Sequence, residues 1–443
     1  MPYAIDLFCG AGGMSEGIIQ AGFHILFSSD INADVEKTYV NRHEQLGLLQ
    51  GYNTYFCRED IRELTGEVIW NAIRSLEYFR NQGIVIQEVD CIFGGPPCQG
   101  FSRAGKRDIN DPRNLLFKEY LRVVSEINPK YVVMENVEGF NDTKFKGFVG
   151  VTGQKYPDGT TAPQILRSEF HLLGYNTLEP KVLDASDYGV PQRRRRAIFL
   201  AYRESEQAPM YPQPMYTEEE KVTVLDAIGD LIKNARVRRV VNPELTEYQR
   251  DSITGRTFRV DGLLPSNDGV LYNTELSTHL PFIVERFSLF QEGEDGQAVR
   301  KRILSQGINL QRKGYLVTEC CKKLGMNEKE LIKLFKKGQV TDEMLDALLT
   351  RKTIRTRLDR NKTSLTVVTL PDDYISPFED RTFSVREMAR LQSFDDNFMF
   401  LGKRTTGGER RKLEVPQYTQ VGNAVPPLLA RAIALEIRKA LDA

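Results

Sequence analysis

The sequence predicts an α/β fold: a mainly parallel sheet that carries its chemistry on the carboxyl edge, with a second, smaller domain placed before the C-terminus. Three observations predict it. Short apolar runs ending in glycine or an acid punctuate the first two hundred residues, as buried strands do. The first of them opens into a glycine turn and then a helical stretch, a ligand-binding arrangement in open α/β sheets. And 443 residues are long for one domain and suit two.

The first run is Tyr3-Ala4-Ile5-Asp6-Leu7-Phe8, followed by Cys9-Gly10-Ala11-Gly12-Gly13-Met14-Ser15. The helix after it points backbone N–H groups at whatever lies over the strand, and the glycines let the backbone approach closely. The spacing is Gly-x-Gly-Gly, which lacks the third glycine of a dinucleotide turn and argues against a pyrophosphate. A second strand over residues 25–29 ends in Asp30, placed to accept from ribose hydroxyls. A third, at Tyr55-Phe56, precedes Asp60 and Ile61, an acid for an adenine amino group and an apolar side chain for the ring. Each acid singly fits a solvated surface carboxylate; with the glycine turn they read as an adenosine site.

The fourth run, residues 89–93, leads to Gly94-Gly95-Pro96-Pro97-Cys98-Gln99-Gly100-Phe101-Ser102. A thiol after two prolines at a strand's carboxyl end is held stiffly and is a candidate nucleophile. A lone cysteine also fits a buried small hydrophobe, and its neighbours decide between the readings. Residues 99–110, with Gly100, Gly105, Arg103, Lys106 and Arg107, predict a mobile basic lid. The fifth run, residues 131–137, contains Glu135, which parallel pairing brings beside Cys98. A carboxylate there is useful if it is protonated and donates to a ring nitrogen. Next come Gln192-Arg193-Arg194-Arg195-Arg196 and an apolar strand; alternation puts Arg194 and Arg196 on one face and Arg193 and Arg195 on the other.

In this order these motifs, with the late Gln420-Val421-Gly422-Asn423-Ala424-Val425 and the block before it at residues 381–394, resemble the DNA cytosine-5 methyltransferases of bacterial and phage restriction–modification type. The resemblance covers residues 3 to about 200 and about 354 to 440. It implies a Rossmann-like catalytic domain over residues 1–205 and 417–443, and a target recognition domain with its hinge over 206–416. It implies an S-adenosylmethionine pocket lined by Phe8, Gly10, Gly13, Asp30, Ile31, Asp60, Ile61, Pro97, Leu116 and Asn423. Cys98 would attack C6 of a cytosine, Glu135 would hold N3 and the exocyclic amine, Arg196 would bind O2, and Arg194 would support the site. A helix N-terminus after Pro112 and the nearby arginines would lower the thiol's pKa. C5 then becomes nucleophilic enough to take a methyl group, and a base buried in a duplex must first be flipped out. The implied partners are double-stranded DNA and a cognate restriction endonuclease acting on the same site, with the enzyme itself a monomer. The helix at residues 428–440 would pack beside the first strand. Ser376 stands where relatives commonly have histidine, a departure expected to be structural.

Composition adds bounds. Sixty basic and sixty acidic side chains cancel, so global charge gives no push toward nucleic acid. Local patches lie at residues 192–196, 233–239 and 322–337, and two of the three equally fit solvated helix faces. Six cysteines and four histidines show neither disulfide nor zinc spacing, so no metal is expected. The first strand starts almost at once, leaving no room for a signal peptide, and no run reaches membrane length. A cytoplasmic enzyme with reduced thiols is expected.

In the middle of the chain Pro209, Pro212 and Pro214 read as a linker. Helices are predicted over 281–290, over 328–337 with Asn327 as N-cap, and over 342–350 with Thr341 as N-cap. Arg355, Arg357, Arg360 and Lys362, leading into a strand at 363–369, are the expected phosphate contacts. Two alternatives remain open: a transfer-RNA cytosine-5 methyltransferase, whose Cys-Phe-Thr run is missing here, and a non-catalytic DNA-binding module, which would predict decay at Cys98, Glu135 or Arg196. Gly-Pro-Pro-Cys disfavours an amino-methyltransferase, and the glycine spacing disfavours a nicotinamide dehydrogenase.

Overall fold

The computed structural model describes residues 1–97, 115–232, 243–266, 268–408, 410 and 413–443. Eight strands form one sheet: β1 (Tyr3–Leu7), β2 (His24–Ser29), β3 (Tyr55–Cys57), β4 (Cys91–Gly94), β5 (Tyr131–Val137), β6 (Tyr175–Thr177), β7 (Lys181–Asp184) and β8 (Arg195–Arg203). The path runs β3-β2-β1-β4-β5-β8-β6, with β7 also paired to β8. The first five strands are mutually parallel. β8 is antiparallel to β5, β6 and β7. The predicted mainly parallel α/β fold is therefore present. Chain order reverses between β2 and β4, on either side of β1, which is where open α/β sheets form a ligand crevice.

Both sheet faces are covered, which explains the near-continuous apolar strands. On one face Ile5, Leu7, Phe27, Ile92 and Val132 share a core with residues of α3 (Gly66–Ser75), α5 (Leu116–Ile127) and α6 (Ala162–Leu172). On the other Ala4, Ile25, Phe93, Val133 and Leu200 meet α1 (Gly13–Gln20) and α16 (Pro427–Leu441). The expected C-terminal helix forms, but its close partner is α1: a Cβ on Gly17 would stand 2.4 Å from Arg431 N and 2.5 Å from Ala430 Cβ. The proline-rich stretch near residue 210 straps this core, with Tyr211 buried and its hydroxyl donating to Ile198 O at 2.9 Å.

A third core joins α7 (Val224–Ile228), Tyr248 of α8 (Glu247–Thr254), Leu358, Val367 and α14 (Val385–Leu391) to Phe394, Phe398 and Phe400. Tyr418 and Val421 of α15 (Gln417–Asn423) and Ala11 of the glycine turn enter the same core. A fourth is mainly helical and gathers α9 (Pro281–Phe287), α10 (Gly296–Gln306), α11 (Gly314–Leu324), α12 (Glu328–Lys337) and α13 (Asp342–Leu349). Asn327 and Thr341 cap α12 and α13 as predicted, accepting from Lys329 N at 2.9 Å and Met344 N at 3.3 Å.

Two expectations for the middle of the chain are corrected. α9 stops at Phe287, three residues short, because Leu289 and Phe290 turn back into the helical core. Residues 363–369 form no strand. Ser364 makes an isolated bridge to Gln192, while the short parallel pair here is β9 (Thr356–Arg357) with β10 (Tyr374–Ile375). Of the cations before them, buried Arg357 pairs with Asp380 and donates to Ser376 O, and Arg355 lies over the Phe287 ring. Arg360, paired with Glu292, and Lys362, 3.4 Å from Asp359, keep 40% and 73% of their side chains exposed. Ser376 is fully buried, and its hydroxyl accepts from Phe378 N at 3.2 Å, a turn-holding role. The 233–239 patch lies outside the described residues.

Candidate active site

Several of the predicted site residues that are described gather at the carboxyl edge of the sheet. β1 ends in a backward turn: Phe8 adopts φ +56°, Gly10 +53° and Gly12 +98°. Asp30, just past β2, folds over this turn and accepts from Gly10 N at 3.1 Å and Asn32 N at 2.9 Å. Burial pushes its pKa up, and these amides oppose the rise. Among the described residues a Cβ on Gly10 would meet open space, and Ile31 stands exposed beside Asp30 as an apolar surface. Across the edge, Ile61 is buried and Asp60 is held by Arg62 through the guanidinium and the backbone N–H. The Asp60 carboxyl is drawn below its usual range by that hydrogen bond. An acid near an open glycine turn, flanked by exposed isoleucine, fits the ribose and base of an adenosine-bearing cofactor.

Gly94, Gly95, Pro96 and Pro97 continue from β4. Asn136 Nδ2 donates to Pro96 O at 3.1 Å and ties that loop to β5. Cys98 and the lid predicted at 99–110 lie outside the described residues, as does the chain up to residue 114; Leu116 is the first residue of α5. Glu135 faces Gly95, where an added Cβ would lie 3.2 Å from Glu135 Oε2. Arg196 Nε stands 2.7 Å from Glu135 Oε1, and both side chains are largely buried. The alternation read from the four arginines is observed. Arg193 and Arg195 point out to Glu218 and Glu138, whereas Arg194 is buried.

Arg194 donates to Gly422 O at 3.0 Å and Val367 O at 3.3 Å, and its backbone N–H donates to Asp184 Oδ1 at 3.1 Å. Burial lowers its pKa, the Arg196 charge lowers it further, and Glu135 opposes. Its side chain ties the residue before β8 to α15. Asn423, at the end of α15, is exposed, whereas its neighbours pack tightly on the glycine turn. A Cβ on Gly13 would lie 2.3 Å from Val425 O. The first and last motifs of the chain therefore meet.

Sequence reasoning passed over several residues here. Asp6 is buried behind the glycine turn and accepts from Ser15 Oγ at 2.5 Å; Ser15 in turn bonds Tyr39, whose hydroxyl bonds Ser28. Gln192 and Gln392 were visible inside their motifs, but nothing local shows that they touch. Among the described residues no cluster of three or more metal-ligating side chains occurs, and no helix is long and apolar enough to cross a membrane.

The profile of the family described as C-5 cytosine-specific DNA methylase matches residues 3–439. The type II methyltransferase M.AgeI of Thalassovita gelatinovora is 30% identical, over 99% of this chain and 99% of its own length. M.XorII of Xanthomonas oryzae pv. oryzae is 31% identical, over 99% of this chain and 85% of its own. M.DdeI of Desulfomicrobium norvegicum is 29% identical, over 98% and 88%. The crystal structure of a prophage-encoded candidate DNA modification methyltransferase of E. coli covers both chains completely, with TM-score 0.63 at 23% identity, a likeness of fold.

Proposed function

The chain belongs to the C-5 cytosine-specific DNA methylase family, and from that premise we propose how its residues divide the work. It is a DNA (cytosine-5) methyltransferase of restriction–modification type. The finer reading is a base flipped out of a specific duplex and attacked through Cys98. The observation that carries it is the Glu135–Arg196 pair, 2.7 Å apart, beside the Gly95-Pro96-Pro97 run that leads to Cys98. O2, N3 and the exocyclic amine are consecutive on one edge of cytosine. A carboxyl and a guanidinium side by side match that edge once their mutual contact opens.

In this reading the Cys98 thiolate adds to C6 and forms a carbon–sulfur bond. Glu135 holds N3 and the exocyclic amine, and Arg196 holds O2, so charge entering the ring is stabilised where it develops. S-adenosylmethionine, when bound, supplies the methyl group that C5 takes. Loss of the C5 proton, with water as the acceptor, then expels the thiolate and restores the aromatic ring. Arg194 keeps Arg196 in register. Phe8, Gly10, Gly13, Asp30, Ile31, Asp60, Ile61, Pro97, Leu116 and Asn423 hold the cofactor, supported for Asp30 by its position over the glycine turn. Residues 1–205 and 417–443 act as the catalytic domain and 206–416 as the target recognition domain. The enzyme works in the cytoplasm as a monomer on double-stranded DNA, alongside an endonuclease for the same site.

Bisulfite sequencing of plasmid DNA from methylation-free cells expressing the protein tests this. One short motif with protected cytosines is expected. Unprotected DNA from soluble protein would reject the reading, and a protected transfer RNA in the same cells would establish the RNA alternative.

A further inference from the structure

We propose that Gln192 and Gln392 are positioning residues that tie the cytosine-binding end of β8 to the cofactor-binding glycine turn, so that each ligand favours binding of the other. The proposal rests on the assignment of Glu135, Arg196 and the glycine turn given above.

Both side chains are fully buried. Gln192 lies four residues before Arg196. Its Nε2 donates to Leu391 O at 3.1 Å and to Gln392 Oε1, and its Oε1 accepts from Val367 N at 2.7 Å. Gln392 spends both of its amide hydrogens on the C-terminal end of α15, donating to Val421 O and to Ala424 O just past the helix, at 2.9 Å each. That helix end then touches the glycine turn: an added Cβ on Gly13 would lie 2.3 Å from Val425 O and 3.1 Å from Ala424 Cβ. Phe394, two residues beyond Gln392, closes on the same spot, with its Cζ 3.1 Å from that position. Arg194 runs beside this path as a second strut, from the residue before β8 to Gly422 O.

All four amide hydrogens of the pair have acceptors. A buried amide costs free energy unless it is satisfied, so this pairing fixes one register rather than merely filling space. Movement of the C-terminal end of α15 away from Gln392 would break two bonds at once, and movement of Gln392 would strand Gln192. A cofactor that settles the glycine turn therefore settles Arg196, and by linkage a cytosine held at Arg196 settles the turn.

The experiment measures affinity for a duplex carrying the motif found by bisulfite sequencing, with and without S-adenosylhomocysteine. Gln192→Met and Gln392→Met remove the amides at similar volume. Wild type should bind the duplex at least about tenfold more tightly with S-adenosylhomocysteine present, and each variant should lose most of that factor. Each variant should bind either ligand alone within about threefold of wild type, as coupling without loss of a site requires. If Gln392→Met does not fold, Gln192→Met decides, because it leaves the bonds to Val421 and Ala424 in place. An unchanged coupling factor, or a parallel fall of both single-ligand affinities with stability, overturns the proposal and leaves the functional reading intact. Wild type that binds neither ligand overturns the functional reading itself.

Discussion

Glu135 Oε1 and Arg196 Nε stand 2.7 Å apart across the only antiparallel step on the path from β3 to β8, where Val137 faces Arg196 and Glu135 faces Ile198. Antiparallel pairing brings the start of β8 to the edge where β5 ends. A parallel β8 would have carried Arg196 to the opposite end of the sheet. Both groups are assigned to one edge of the same base. Glu135→Gln should lower the methyl-transfer rate about 100-fold or more at saturating DNA and cofactor, since a positioned proton donor contributes at least that much. A rate within tenfold of wild type in a tritium-transfer assay would remove Glu135 from that role.

Cys98→Ser should abolish methyl transfer and preserve S-adenosylhomocysteine binding. A hydroxyl of the same size lacks the thiolate's nucleophilicity at neutral pH. Turnover at the wild-type rate, measured in the same assay, would sink the nucleophile assignment.

Asp30→Ala removes the carboxylate that folds over the glycine turn through Gly10 N. Hydrogen bonds to a charged acceptor are worth about 1.5–3 kcal/mol, so cofactor affinity should fall by about 10- to 100-fold. Isothermal titration with S-adenosylhomocysteine checks it, and a change below twofold would exclude Asp30 from the site.

Gly13→Ala should destabilise the protein by about 1–3 kcal/mol, the usual cost of overpacking. The new methyl would lie 2.3 Å from Val425 O, a backbone atom, and 3.1 Å from Phe394 Cζ. Urea unfolding reads the loss. An unaltered midpoint would show that the meeting of the first and last motifs is looser than described.

Asp6 supplies the pH dependence. Burial pushes its carboxyl up to about 7, Ser15 opposes this by donating a hydrogen bond, and the Asp30 charge adds to it. Between about pH 4 and 7 the folded protein thus keeps a proton that the unfolded chain has lost. The Asp6 contribution to stability is full below pH 4 and disappears as pH rises through 7, at up to about 1.4 kcal/mol per pH unit. Asp6→Asn, compared with wild type by thermal unfolding at a series of pH values, should gain relative stability from pH 5 to pH 7. Parallel curves would contradict the raised pKa.

By itself the sequence determined the parallel strands, the glycine turn, the acids past β2 and β3, and the identity of the residues on the carboxyl edge. Apolar runs, turn glycines and period-two alternation are local signals, and they were enough to predict which of Arg193 to Arg196 face inward. The tertiary structure alone decided who meets whom at long range. Gln192 and Gln392 touch across 200 residues, and Arg194 reaches Gly422. Arg357, legible only as a cation, turns inward to Asp380. A charged or amide side chain is equally at home with water, phosphate or another part of its own chain. Only the packing of distant segments, which sets burial and distance together, chooses among those partners.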